Sequence, residues 1–181
     1  MKKNYIKEIE IPEDVEVNKE GNKLIVKGLE GENSRELKLG KANFEIKGRK
    51  IILFHKKATK KEKKLINTNS AHIQNMIKGV KEKFEYKLKI CFSHFPFTLK
   101  IDNGRAIVKN FLGEKVERVT NVLKEVEINV DKEIITVKSI DKEKAGQTAA
   151  KLEILTKIRG RDKRVFQDGI YIINKCGKEI N

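Results

Sequence analysis

Two stretches of the chain repeat each other 82 residues apart, and this repeat limits the fold more than any other feature. Val26-Lys27-Gly28-Leu29-Glu30-Gly31-Glu32 aligns with Val108-Lys109-Asn110-Phe111-Leu112-Gly113-Glu114, with four of the seven residues identical. At the same spacing Glu45-Ile46 meets Glu127-Ile128, and a one-residue slip aligns Ile51-Ile52 with Ile134-Ile135. At a spacing of 81, Ile73, Ile77 and Gly79 meet Ile154, Ile158 and Gly160. Matches in one order through several segments predict one small unit built twice.

The periodicity says what that unit contains. Val15-Glu16-Val17 and Lys23-Leu24-Ile25-Val26-Lys27 alternate around Gly21-Asn22, and Phe44-Ile46 and Ile51-Phe54 flank Gly48. Both patterns predict hairpins with one wet face. Glu36-Leu37-Lys38-Leu39 reads as a further strand. From Lys60 to Phe84 the apolar spacing becomes helical, through Ile66, Ile73, Ile77, Val80 and Phe84, with Gly79 marking the C-terminal end. A second helix is expected from Asp141, its N-cap, to Lys157, with Ala145, Ala149, Leu152 and Leu155 or Thr156 facing inward. A strand is expected after each helix, Tyr86–Ile90 in one copy and Gly169–Ile173 in the other. The expected fold is α+β, a tandem duplication of a small antiparallel sheet covered by one helix. Residues 1–82 form the first repeat and residues 83–181 the second.

Composition bounds the function. Lys and Arg number 41 against 26 Asp and Glu, a formal charge of +15. No apolar run reaches the roughly 18–20 residues of a membrane span, and the N-terminus lacks the apolar stretch of a secretory signal. A cytoplasmic protein without membrane contact is expected. Cys91 and Cys176 give no disulfide framework, and two cysteines with three scattered histidines suggest no metal. A polyanion is the natural partner of such a charge, nucleic acid above all.

The charge is clustered. Residues 55–64 hold six Lys and one Glu, a pattern typical of a solvated helix start. Residues 156–165 hold five basic residues and one acid, and three of the seven arginines lie within positions 159–164. Arginine's planar fork suits bidentate phosphate contact in a way lysine does not. This segment, containing Gly160, is the expected site of phosphate contact. In the preceding stretch small residues cluster at 145, 146, 149 and 150. Gln147, Thr148 and Lys151 are candidates to lie against a sugar–phosphate backbone.

Catalytic patterns are missing. Gly40-Lys41 and Gly177-Lys178 lack the upstream glycine of a phosphate loop, and Cys91 with His94 is an unconvincing nucleophile–base pair. No enzyme, no cofactor and no small-molecule substrate are expected.

Several stretches resemble a known family. His72-Ile73-Gln74-Asn75-Met76-Ile77-Lys78-Gly79-Val80, Tyr86-Lys87-Leu88-Lys89, His94-Phe95-Pro96 and Asn110-Phe111-Leu112-Gly113-Glu114-Lys115 are similar to ribosomal large-subunit protein six, L-six in bacteria and L-nine in eukaryotes. Residues 140–153 and Arg161-Asp162-Lys163-Arg164-Val165-Phe166-Gln167-Asp168-Gly169-Ile170-Tyr171 carry the strongest similarity, to its archaeal branch. Ala145 stands where the family favours Val. The resemblance implies a two-copy, non-catalytic fold that binds large-subunit rRNA, mainly through the second domain, near the sarcin–ricin loop and the stalk base. It implies neighbouring ribosomal proteins there and one copy per subunit. By position, the contact residues would be Lys142, Gln147, Lys151, Lys157, Arg159, Arg161, Lys163 and Arg164. A free-standing basic RNA-binding module, such as an RNA chaperone, is the alternative. Cofractionation with large subunits separates the two.

Overall fold

Short alternating segments fold as strands, and the two segments of helical period fold as the only long helices among the described residues, 3–180 of this computed structural model. The chain divides into two units, the first ending at Lys83 and the second beginning at Phe84. The first contains β1 (Lys3–Glu10), β2 (Glu16–Glu20), β3 (Lys23–Gly28), β4 (Gly31–Glu36), β5 (Asn43–Lys47), β6 (Lys50–Ala58) and helix α1 (Lys60–Lys81). The strands make two antiparallel sheets, ordered β1-β6-β5 and β2-β3-β4. Helix α1 packs on β3 and β4 of one sheet and on β1 and β6 of the other. It buries Ile66, Ile73 and Val80 completely, as are Leu24, Val26, Ile51 and Leu53 in the strands. Each such side chain contributes about 1.5–3 kcal/mol relative to exposure.

The second unit contains β7 (Phe84–Cys91), β8 (Thr98–Asp102), β9 (Arg105–Lys109), β10 (Arg118–Asn121), β11 (Glu127–Asp131), β12 (Ile134–Ser139), α2 (Lys142–Leu155), β13 (Gly169–Lys175) and β14 (Lys178–Glu179). Its sheets are β10-β9-β8 and β11-β12-β7-β13-β14. Helix α2 packs on β7, β12, β13 and β10 over a core that includes Leu88, Val108, Phe111, Ile135, Leu152 and Ile170. The fold is therefore α+β and duplicated, with two small sheets per unit where the sequence suggested one.

Several local expectations change. Residues 86–90 do not close the first unit. They lie in β7, which pairs with β12 as β1 pairs with β6, so this strand opens the second copy. Strands β13 and β14 have no counterpart among the described residues of the first unit. Leu37 and Leu39 follow β4 rather than extending it, yet both are buried, because the Leu37 amide bonds to the Asn22 carbonyl at 2.9 Å and turns the chain inward. Gly79 does not end α1. The helix runs on to Lys81 and stops at Glu82, whose extended backbone leaves its amide on the Lys78 carbonyl. The glycine that matters there is Gly28, since a Cβ would sit 2.8 Å from the Val80 carbonyl oxygen, to which Glu30 also donates.

The register also moves. Ile46 faces Ile51 across one hairpin and Val130 faces Ile135 across the other. Gly48 and Lys132 take the matching left-handed positions, φ +57° and +51°, so these hairpins lie 84 residues apart. In the helices, Ile66, Ser70, Ile73 and Ile77 match Ala145, Ala149, Leu152 and Thr156, 79 apart and buried in both copies. Ile73 thus corresponds to Leu152, and Ile154, its expected match, is 60% exposed. The seven-residue repeat itself adopts two shapes. Gly28 pairs with Gly31 in a tight hairpin, whereas Phe111–Gly113 makes a 3-10 turn. Leu29 is exposed, while its counterpart Phe111 is buried edge-on against Phe97.

Candidate nucleic-acid interface

Helix α2 begins with Asp141, whose carboxylate accepts from the Glu143 amide at 2.8 Å. It ends with no basic residue of its own in the last turn. Arg118 of β10 takes that place. Its guanidinium donates to the Leu155 carbonyl at 2.9 Å and the Lys157 carbonyl at 3.3 Å. The same side chain forks onto Glu114 at 2.6 and 2.7 Å and lies 4.4 Å above the Phe111 ring. The carbonyls left over at a helix end are thereby satisfied by a cation favoured by the dipole. The hydrogen bonds from Arg118 hold the Glu114 carboxyl below its usual range.

Residues 156–168 leave this capped end and return to β13 as a loop tied at both ends. The buried Thr156 hydroxyl accepts from the Ile170 amide at 2.8 Å, and Ile158 is buried beside it. Within the loop the Asp162 carbonyl accepts from the Val165 and Phe166 amides, and its carboxylate pairs with Arg164 at 2.8 Å. Those bonds from Arg164 hold the Asp162 carboxyl low. At the far end, buried Asp168 accepts from the Ser93 and His94 amides at 2.8 and 3.0 Å and contacts His94 Nδ1 at 2.7 Å. Burial alone would raise its pKa, but the bonds from His94 and Ser93 outweigh it and hold the carboxyl far below its usual range. The His94 ring stacks on Phe166 at 4.6 Å, and the Arg161 guanidinium lies 4.8 Å from the same ring. A buried carboxylate thus orients an imidazole, the imidazole orients a phenyl ring, and the ring seats an arginine.

This geometry gathers some of the expected contact residues and separates others. Lys151, Lys157 and Arg159 join Arg118 around an open hollow of about 500 Å³. Lys157 and Lys163 line a second hollow of about 310 Å³. Arg161 sits on Phe166, and Arg164 projects outward while paired with Asp162. Gln147 is exposed on α2. Lys142 is at the opposite end of that helix, about 20 Å along its axis at ~1.5 Å per residue, with its ammonium 5.7 Å from the Phe84 ring. Thr148, a candidate for backbone contact, is instead buried. Arg118 and Phe166 were missed by the sequence reading. Arg118 stands far from the cluster in sequence and shows no local signal, whereas Phe166 beside a basic run was an aromatic signal left unused.

The lysine run of the first unit differs. Its lysines are exposed, and Thr59 with Glu62 forms a capping box at the start of α1. Hydrogen bonds from Thr59 pull the Glu62 carboxyl down to about 2. Among the described residues, no aromatic or carboxylate network comparable to that around residues 156–168 orders the lysines at 60–64, although Lys63 lies 5.3 Å from the Tyr5 ring.

Ser93, His94 and Asp168 have the residue types of a hydrolytic triad, but not its geometry. Nδ1 of His94 faces both the Ser93 hydroxyl, at 3.1 Å, and Asp168, so the ring cannot relay between them. Among the described residues no group of three His, Cys, Asp or Glu could hold a metal ion, and no helix is long and apolar enough to cross a membrane.

Comparison with known proteins agrees with the duplication. The family model described as Ribosomal protein L6 matches twice, over residues 11–83 and 97–169. The large ribosomal subunit protein uL6 of Methanobrevibacter smithii is 45% identical over 168 residues, 93% of this chain and 94% of that protein. Those of Methanococcus vannielii and Methanothrix thermoacetophila are 42% and 38% identical, covering 96% and 97% of this chain and 95% and 99% of their own. The repeated unit and these full-length similarities converge: the chain belongs to the ribosomal protein L6 family, a family of ribosomal proteins rather than enzymes.

Proposed function

We propose that this chain is a structural constituent of the large ribosomal subunit, working in the cytoplasm, that binds large-subunit rRNA through its second unit, near the sarcin–ricin loop and the base of the stalk. It serves as one copy per subunit beside neighbouring ribosomal proteins. The observation that carries the reading is the loop of residues 156–168. It concentrates five basic side chains on a backbone held by Arg118, Thr156 and Asp168. Phosphate contacts from such a fixed surface position a protein on RNA without reading sequence. Lys151, Lys157 and Arg159 form one contact group beside Arg118, while Arg161, Lys163 and Arg164 form a second along the loop. Gln147 and Lys142 extend the contact along α2. The lysines at 60–64 add long-range attraction only. Crosslinking of the chain within intact large subunits, followed by mapping of the rRNA nucleotides, tests the placement. Crosslinks from residues 157–164 to the sarcin–ricin region are expected. Crosslinks there from the first unit alone would overturn it.

A further inference from the structure

The two hollows at the end of α2 differ in chemistry and share a wall. The larger is lined by Lys151, Lys157 and Arg159, three cations suited to a phosphate backbone, beside Arg118, whose guanidinium is committed to Glu114 and the end of α2. The smaller combines buried Ile158 and Ile170 with the rings of Phe166 and Tyr171. Ile154 and Lys157 border both, and Ile154 stands 60% exposed between them. An apolar, ring-lined recess has no use for phosphate. It suits a flat apolar face with polar edges.

The walls of the recess are packed in place. Tyr171 lies against the backbone of Gly169, where an added Cβ would come within 3.3 Å of the tyrosine Cε2, Cζ and hydroxyl oxygen. Phe166 is held by the stacked His94 ring. Thr156, at the inner end, has its hydroxyl committed to Ile170. The polar side chains that remain to meet a ligand are Glu153, an acceptor, the donors Lys157 and Lys163, and the Tyr171 hydroxyl, which can do either.

We propose that the smaller hollow is a nucleobase site that takes one unpaired base of the bound RNA, guanine by preference. The proposal deepens the rRNA-binding reading and rests on it. The RNA backbone runs over the cationic hollow, and the ridge at Ile154 turns one base out of the stack onto Tyr171, beside Phe166. Unstacked bases are recognised in this way, by aromatic stacking and by their hydrogen-bonding edges. Guanine offers N–H donors to Glu153 on one edge and the O6 and N7 acceptors to lysine on the other. Uracil has no amino group for Glu153 and no N7 for lysine.

The test uses the full chain labelled with 15N, titrated separately with 5′-GMP, 5′-UMP and ribose 5-phosphate. GMP is expected to shift the backbone amides of Ile154, Gly169 and Ile170, with an apparent affinity roughly tenfold above that of UMP. Ribose 5-phosphate should shift only amides around Lys151 and Arg159. The variant Glu153→Gln should keep GMP binding but bring the GMP and UMP affinities within about threefold, a loss of most of that discrimination. Equal shifts by GMP and UMP in the parent chain, shifts by ribose 5-phosphate at Gly169, or no shift at Gly169 and Ile170 would each overturn the proposal. Phosphate-led rRNA binding is read separately, by crosslinking and salt dependence. A chain that binds rRNA but ignores GMP refutes the base site and leaves the function standing.

Discussion

Arg118 reaches four partners with one side chain: two carbonyls at the end of α2, the Glu114 carboxylate and the face of Phe111. Changing Arg118 to Ala strands the carbonyls and the carboxylate together. The second unit should lose about 2–3 kcal/mol in denaturant melts, and rRNA binding should weaken although the basic loop is untouched. Arg118→Lys should restore only part of both, because a single ammonium lacks the planar fork. A lysine variant equal to the parent would contradict this account. Asp168 makes a second residue-scale prediction. Its folded-state pKa is depressed, so its contribution is fully present above the ordinary aspartate range, near 3.8, and fades as pH falls through the lower folded value. Asp168→Ala should cost about 3 kcal/mol at neutral pH and should flatten the acid side of the second unit's stability curve. An unchanged curve would show that the Ser93–His94 contacts are incidental.

At the scale of elements, the two helices show what periodicity reveals and what it hides. Ile66, Ile73 and Ile77 announce α1 because large apolar side chains repeat at helical spacing. The inner face of α2 is Ala145, Thr148, Ala149 and Leu152, with Leu152 the only large apolar side chain of the four, so its pattern is weak, yet Asp141 still marks its start. The end of α2 was legible to within two residues, Lys157 expected and Leu155 found, but not what closes it, because that cation comes from β10. The role of β7 was misread for a related reason: a strand between two copies matches either one, and only its pairing with β12 and β13 decides. The start of α1 was placed at Lys60, where the structure begins it, but its capping box went unread, although Thr59-Lys60-Lys61-Glu62 has the spacing of one. Thr59→Ala should lower the stability of the first unit by about 1 kcal/mol, measured by chemical denaturation, while leaving rRNA affinity nearly unchanged. A large loss of affinity would mean that the start of α1 touches RNA.

For the whole molecule the charge is widely spread, but the ordering of that charge is not. The first unit carries the denser lysine run, and the second carries three arginines on a loop held by Arg118, His94 and Asp168. The sequence pointed to this loop through its arginines. The expected helix from Asp141 to Lys157 already put Lys142 a helix length from the loop, whereas the hollow that joins Lys151 to Arg159 depends on α2 and β10 lying side by side. Binding led by phosphates should weaken steeply with salt, with a log–log slope of roughly −4 to −5 for six contacts. A flat dependence would argue against it. The most direct measurement compares two triple variants on large-subunit rRNA, Arg159, Arg161 and Arg164 to Gln against Lys60, Lys61 and Lys64 to Gln. Each removes three positive charges, so long-range attraction falls alike and the difference reports local contact. The arginine variant should bind at least about tenfold more weakly than the lysine variant, ~1.4 kcal/mol, with both still folded because all six side chains are exposed. If the lysine variant is the weaker binder, the RNA face belongs to the first unit and the central claim fails.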